Sequence, residues 1–422
     1  MRTKAVRLYG VGDLRLEEFE LPELRDDEIL AKIVTDSICM SSYKACVLGA
    51  AHKRVPDDVA EHPTIIGHEF CGELVEVGRR WREKYAPGER FTVQVALNLP
   101  DDPYRTPGYS FPYVGGSAEY VVLPACVMEQ DCLLPYRGGN YFGGSLSEPM
   151  SCIVGTFHAM YHTRPLSYTH EMGIRAGGCM ALLAAAGPMG LGAIDYALHC
   201  ERRPATLVVT DIDEARLARA REIYTEEEAA RQGVALSYVN TRGMTDPAEA
   251  LCRAAGGRFD DVIVFAPVRE VVELGDRLLA QDGCLNFFSG PADTGFSASL
   301  NFFDVHYSAH HVVGTSGGNT ADMRESLDMM ADGRITPASM VTHIGGLSCV
   351  PETTLRLPAI PGGKKLIYTH ADLPLTAIAD FARLGESDPL FAALARAVEA
   401  GGGLWNDAAE QILLTQINSD RT

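Results

Sequence analysis

The chain has no cysteine pair at redox or metal-ribbon spacing: its eleven cysteines are an odd number, scattered, and no two form a CxxC. That argues against a disulfide-stapled scaffold and makes a reducing compartment, the cytoplasm, the expected location. The chain also lacks an unbroken apolar run. Met1-Arg2-Thr3-Lys4-Ala5-Val6 has no signal-peptide core, and the most apolar segment, Cys179 to Leu198, is interrupted by Gly187, Pro188, Gly190 and Gly192 and carries Asp195. No membrane span is expected there. Positive charge is scarce, since 37 Lys and Arg against 56 Asp and Glu leave a net charge of −19. Such a surface repels nucleic acid and anionic lipid on average, so neither is an expected partner. There is no internal repeat and no low-complexity tract. At 422 residues the chain is too long for one ordinary core, and two domains with an appendage are expected.

Two kinds of pattern follow one another. From Ala5 to about Leu123 the apolar runs are short and alternating, as in Glu28-Ile29-Leu30-Ala31-Lys32-Ile33-Val34, and Pro22, Pro56, Pro63, Pro87-Gly88 and Pro107-Gly108 cut them at turns. This predicts a β-rich half. Pro100 to Gly116, rich in Pro, Tyr and Asp, reads as an ordered surface loop, and Pro149 fits the first position of a helix running through Met160. After Gly178 the units lengthen. Strands are predicted at Cys179 to Ala185, Thr206 to Asp211, Phe259 to Phe265, Gly283 to Phe288 and His311 to Gly314. Helices lie between them at Gly187 to His199, Asp213 to Tyr224 and Val271 to Ala280. Such alternation implies right-handed crossovers and a parallel sheet. A helix capped by Asn319 or Thr320, a strand at Lys364 to Tyr368 and helices at Pro374 to Leu384, Pro389 to Ala400 and Trp405 to Ile417 complete the chain.

Two constellations carry chemistry. In Gly67-His68-Glu69-Phe70-Cys71-Gly72 an imidazole is followed at once by a carboxylate, with glycines on both sides that let backbone pass close to a bound group. Cys39 and Glu148 lie in the same β-rich half, each beside a turn or strand end. Singly, Cys39 fits a buried inert thiol and Glu148 a carboxylate favoured by a helix start. Together, one thiolate, one imidazole and carboxylate make a zinc site with a position left open for water or substrate, whereas closed structural sites usually take three or four thiolates. The second constellation is Gly187-Pro188-Met189-Gly190 after a strand, opening a helix, with Asp211 ending the next strand. Glycines there admit a pyrophosphate to the helix N-terminus, and the carboxylate takes the ribose hydroxyls. Ala185 makes the fingerprint AxGxxG. Asp211 repels a 2′-phosphate and Ile212-Asp213 supplies no cation, so NAD(H) is expected, with Arg216 keeping NADP(H) open.

Taken in order, Gly67-His68-Glu69-Phe70-Cys71-Gly72 through Gly78, Pro87-Gly88-Glu89-Arg90-Phe91, Gly116-Ser117-Ala118-Glu119-Tyr120 and the Gly187 turn resemble the zinc-dependent medium-chain alcohol and polyol dehydrogenases, from residue 1 to about Thr369. The resemblance implies an α/β protein with a GroES-like β-rich catalytic domain, a Rossmann doubly wound parallel sheet and a helical C-terminal tail. The boundaries it implies are 1–160 for the zinc domain, 161–315 for the nucleotide domain, 316–370 for a return to the first, and 371–422 for the tail. It implies that Cys39 and His68 are direct ligands, that Glu69 and Glu148 bind the metal or hold its water, and that Ser41 relays the proton, toward Lys44. Met172-Gly173-Ile174-Arg175, Asn301-Phe302-Phe303-Asp304-Val305-His306-Tyr307 and Gly314-Thr315-Ser316-Gly317-Gly318-Asn319 resemble its sugar-phosphate branch. That branch implies hydride transfer between L-sorbose 1-phosphate and D-glucitol 6-phosphate, in a homodimer or homotetramer. Lys44, Lys53, Arg54 and the amides of Ser316 to Asn319 are the candidate phosphate groups.

Three departures qualify the resemblance. The family's four-cysteine lobe would fall between Val93 and Val121, where no cysteine occurs, so a single zinc is expected. Ser42 stands where an aspartate commonly orients the zinc histidine, and Trp81 occupies a position normally small and aliphatic. Two other functions use the same scaffold: a dehydrogenase of an unphosphorylated polyol, and a non-catalytic NAD(H) sensor. A methyltransferase would also want Asp211 but gives no reason for Cys39, His68, Glu69 and Glu148.

Overall fold

A computed structural model describes residues 1–164 and 167–419; residues 165–166 of the connection after His162, and the last three residues of the predicted tail, lie outside it. The chain forms two compact units, one of residues 1–149, 327–331 and 341–422, the other of residues 150–326 and 332–340.

The first unit is built around the strand Ile29–Ile38, whose near-continuous burial marks it as the centre of a sheet. It pairs antiparallel with Phe70–Val77 through Asp36 opposite Phe70, and with Lys364–Tyr368 through Ile38 opposite Lys365. That register has a chemical consequence. The residue after the strand, Cys39, the residue before Phe70, Glu69, and the first residue of the third strand, Lys364, are all brought to one end of the sheet, with the Ser37 amide donating to the Glu69 carbonyl at 3.0 Å. Tyr120–Leu123, Arg90–Val93, Leu133–Pro135, Val341–Gly346 and Thr376–Ala377 extend the sheet, and Asp13–Glu20, Arg2–Gly10 and Thr64–Ile65 form a second one. Trp81 packs partly buried against the core of this unit and donates its indole N–H to the Asp27 carbonyl at 2.8 Å, which accommodates its bulk.

In the second unit six strands pair in parallel in the order Ala235–Asn240, Thr206–Asp211, Cys179–Leu183, Phe259–Val264, Leu279–Phe287 and His311–Gly314. The first strand in sequence lies mid-sheet, with the chain winding outward in both directions from it. The order therefore reverses at Cys179–Leu183, where open α/β sheets bind ligands. No helix among the described residues is long and apolar enough to cross a membrane.

Three local expectations are corrected. Pro149 does not start a helix; it lies inside Phe142–Ala159. The Gly143-Gly144 pair and the proline both argue against helix in isolation. The helix start is satisfied both locally and from far away in sequence: Asn140 Oδ1 accepts from the Gly143 amide at 2.9 Å, and the Glu410 carboxylate accepts from the backbone N–H of Tyr141 at 2.6 Å and of Phe142 at 2.9 Å. The segment Pro100 to Gly116 is not simply a surface loop, since Thr106, Tyr109, Phe111 and Val114 are buried. Its polar composition hid a hydrophobic anchor at every second or third residue. Finally, Pro374 to Leu384 is not one helix: Thr376–Ala377 adds a short antiparallel strand to Val341–Gly346, and only Phe381–Leu384 is α-helical. An open sheet edge captured it. The later helices, Pro389–Ala400 and Asp407–Ser419, pack around Trp405, which is fully buried and donates to the Tyr368 hydroxyl at 2.8 Å.

Candidate active site

Cys39 caps the helix Met40–Leu48, so its side chain leaves the strand end just as the backbone turns. His68 is reached by a tight turn at Gly67, where φ is +92° and a Cβ would sit 2.2 Å from the Asp36 carboxylate. Only glycine fits there. The result is that one donor atom each from Cys39, His68 and Glu69 lies within 4.8 Å of the others. The Ser41 hydroxyl stands between two of them, 3.1 Å from the Cys39 sulfur and 3.1 Å from His68 Nε2. The opposite ring nitrogen, Nδ1, faces the Ser42 hydroxyl at 3.2 Å. Ser42 is thus the orienting partner of the histidine, in place of the aspartate.

The Glu69 carboxylate accepts from the Ser37 hydroxyl and from the Lys364 ammonium, a pair whose side chains are almost wholly out of water. Glu148 stands outside the group of three but faces it. Burial raises its carboxyl to about 7, with His68 opposing that shift and Glu69 and Cys39 adding to it. Burial likewise raises the Cys39 thiol, which the Lys364 charge partly offsets. Burial lowers His68, against the pull of Glu148 and Glu69, and so favours the neutral imidazole that ligates metals. For Lys364 burial acts downward, but the neighbouring Cys39 and Glu69 charges outweigh it and hold the ammonium above its ordinary value. A thiol, an imidazole and two carboxylates facing one buried cation fit a divalent ion in an open site.

Two sequence families match the chain. The Alcohol dehydrogenase GroES-like domain matches residues 25–131 and the Zinc-binding dehydrogenase model matches residues 188–332. An L-sorbose 1-phosphate reductase of Klebsiella pneumoniae is 51% identical, over 98% of this chain and 97% of that protein. A mannitol-1-phosphate 5-dehydrogenase of Aliivibrio fischeri is 49% identical over 98% of this chain and 97% of its own. The chain belongs to the zinc-binding alcohol dehydrogenase family. A crystal structure from Sinorhizobium meliloti, described as a zinc-binding dehydrogenase bound to NADP, shares the fold with a TM-score of 0.70 and 24% identity, over 87% of this chain and all of that one.

As a medium-chain zinc-binding dehydrogenase the protein is an oxidoreductase with a GroES-like and a Rossmann-like part. In the latter, Gly187 opens the helix Pro188–His199 with Pro188 at its first turn, directly beyond Cys179–Leu183. A Cβ at Gly187 would meet nothing within 4 Å, leaving room above the helix start, whereas one at Gly190 would lie 1.9 Å from the Ala185 carbonyl. Gly190 is therefore a packing glycine that lets helix and strand approach. Met189 follows Pro188 in the same first turn. Asp211 ends its strand beside this turn, one carboxylate oxygen accepting from the Ala186 amide at 3.1 Å and the other from Ile212 and Asp213.

Sequence reading missed two neighbours of this cluster. Lys364 had no signal beyond a strand start, because its partner Glu69 is 295 residues away. Tyr109 was hidden in the loop; its hydroxyl reaches His68 Nε2 at 3.4 Å and its ring lies 4.9 Å from the imidazole.

Proposed function

We propose that the protein transfers a hydride between C4 of a nicotinamide and the carbonyl carbon of a ketohexose phosphate, giving a hexitol phosphate, and that L-sorbose 1-phosphate and D-glucitol 6-phosphate are the natural pair. The observation that carries the reaction is the convergence of Cys39, His68 and Glu69 on one point. The substrate class rests on two full-length relatives of about half identity, both named for phosphorylated hexose or hexitol. The mannitol-named relative favours a second reading in which the hexitol is mannitol 1-phosphate.

In this reading Cys39 and His68, through Nε2, hold one zinc per chain together with a carboxylate from Glu69 or Glu148. Zinc, when bound, supplies the Lewis acidity that polarises the substrate carbonyl. Ser42 fixes the imidazole plane through Nδ1. Ser41 accepts or delivers the proton at the substrate oxygen and passes it outward, toward Lys44, a half-buried amine whose ordinary value burial lowers. Gly187, Pro188, Met189 and Gly190 receive the pyrophosphate, and Asp211 the adenosine ribose. NAD(H) is preferred because that carboxylate repels a 2′-phosphate. The cytoplasm and a homodimer or homotetramer complete the proposal.

The test is oxidation of NADH and of NADPH with L-sorbose 1-phosphate, D-fructose 6-phosphate and the free ketoses, before and after chelation. The phosphorylated ketoses should be used with kcat/KM higher by on the order of 100-fold, and activity should vanish with the metal and return with zinc. Equal rates on free and phosphorylated ketose would remove the phosphate reading.

The pH dependence of metal binding discriminates between the glutamates. A ligand must shed its proton to bind, so affinity rises with pH. Below about 7 both the Glu148 carboxyl and the Cys39 thiol hold protons; above it only the thiol does. With Glu148 a ligand, log affinity for zinc should climb by about 2 per pH unit below pH 7 and about 1 above it, measured against a chromophoric chelator from pH 6 to 8.5. A slope near 1 throughout would take Glu148 out of the donor set.

A further inference from the structure

Cations of the first unit are met in different ways: Lys365 and Arg90 donate to backbone carbonyls, and Arg54 stands beside the candidate site. Arg7, Arg15, Arg25 and Arg79 each pair with a carboxylate. Arg54 pairs with none among the described residues, and its Nε is buried with no acceptor. The Nε of Arg7 is buried without a hydrogen-bond partner as well, so what sets Arg54 apart is the lack of any carboxylate on its guanidinium together with its place beside Tyr109. The residue is also held in place. Its amide donates to His52 Nδ1 at 3.3 Å and its carbonyl accepts from the Ser110 hydroxyl at 2.7 Å.

Its guanidinium carbon lies 5.3 Å from the centre of the Tyr109 ring. The hydroxyl of that same tyrosine is the group 3.4 Å from His68 Nε2. Tyr109 thus meets Arg54 at its ring and His68 at its hydroxyl, which makes it the residue that stands between the guanidinium and the proposed metal ligands. His52 stacks on Tyr109 with ring centres 5.9 Å apart and planes 11° from parallel. Burial, and then the positive charges of Arg54, Lys53 and Lys44, push its imidazole down to about 4, so it stays neutral while three cations gather about it. A groove of about 480 Å³ opens at Arg54, with Lys53, Arg105 and Ser110 on its wall. Asp58, Asp101 and Asp102 share that groove, so its attraction for an anion rests on Arg54, Lys53 and Arg105 and not on the groove as a whole.

We propose that Arg54, seated on the ring of Tyr109, is the residue that recognises the phosphate of the substrate. The assignment rests on the reading of the substrate as a ketose phosphate. A planar guanidinium offers parallel N–H donors that match two phosphate oxygens, and the cation–π contact with Tyr109 favours its place over the ring. Through this contact the phosphate end of the ketose is fixed while the carbonyl end extends past the tyrosine hydroxyl to Ser41 and His68.

The test compares wild type, Arg54→Gln and Arg54→Lys on L-sorbose 1-phosphate and on free L-sorbose, with zinc content measured for each. Arg54→Gln is expected to lower kcat/KM for the phosphorylated ketose on the order of 100-fold more than for the free one, almost entirely through KM. Arg54→Lys, which keeps the charge without the fork, should recover part of that loss. Inorganic phosphate should compete with the phosphorylated ketose in wild type and more weakly in Arg54→Lys, a comparison that holds even if the glutamine variant folds poorly. An equal loss on both substrates, or phosphate competition indifferent to residue 54, overturns the assignment and leaves the phosphate reading standing. A wild type with no preference for the phosphorylated ketose overturns both.

Discussion

Cys39→Ser protein should be purified without zinc and turn over its substrate at least about 10³-fold more slowly than wild type. The sulfur is one of three donor atoms within 4.8 Å of one another, and it accepts the Ser41 hydroxyl. A serine oxygen in its place is neutral at pH 7 and holds zinc poorly, because a soft anionic thiolate becomes a hard, uncharged hydroxyl. The charge balance shifts as well. With Cys39 ionised and one carboxylate bound, a divalent ion is neutralised; without the thiolate a net positive charge remains in a buried site. The fold should survive. Serine is smaller than cysteine, and Cys39 caps Met40–Leu48 without a side-chain hydrogen bond, so no cap is lost. Metal analysis, steady-state rates and thermal unfolding in chelator make the check together. Wild type should carry one zinc per chain, and a serine variant that keeps both its zinc and its rate would refute the assignment.

Lys364→Met should be the most destabilising single change at this site, by about 3–5 kcal/mol in metal-free protein. Lys364 and Glu69 have side-chain exposures of 5% and 1%, so removing the ammonium strands a carboxylate where water cannot solvate it. The sign can be separated from simple damage to packing. Glu69→Gln/Lys364→Met removes both charges and should recover most of the loss, because a neutral pair of similar volume pays no desolvation penalty. Zinc should also narrow the deficit of the single variant, since a divalent ion at the same donors replaces the missing positive charge. Denaturant unfolding of the three proteins, with and without zinc, measures all of this. If single and double variants lose the same stability, the ion pair is not what holds the cluster together.

How much of this was legible in the sequence depends on how far apart the deciding partners lie. Strand Thr206–Asp211, strand Lys364–Tyr368 and helix Pro389–Ala400 fall where periodicity and caps predict them, because side-chain period and turn residues are local properties. The Gly187 turn, with Asp211 one strand later, is local in the same sense. By contrast, Phe142–Ala159 runs straight through a proline and a glycine pair, with its first amides satisfied by the nearby Asn140 as well as by Glu410. Nothing within the helix announces that partner. The loop around Tyr109 departs from its surface-loop expectation for the same reason: its composition is polar, and only the folded protein offers the surface on which its aromatic residues are buried.

By itself the sequence determined which donors are available. Cys39, His68, Glu69, Glu148 and Ser41 are chemically recognisable wherever they stand, as is the glycine turn with its acidic partner. Tertiary structure alone decided how those donors are balanced: that Ser42 orients the imidazole, that Lys364 neutralises Glu69, that Tyr109 closes over His68, and that Arg54 is left with an unanswered charge. The physical reason is that donor identity is a property of single side chains, whereas desolvation and pairing belong to the neighbours that a β-sheet register brings together from opposite ends of the chain.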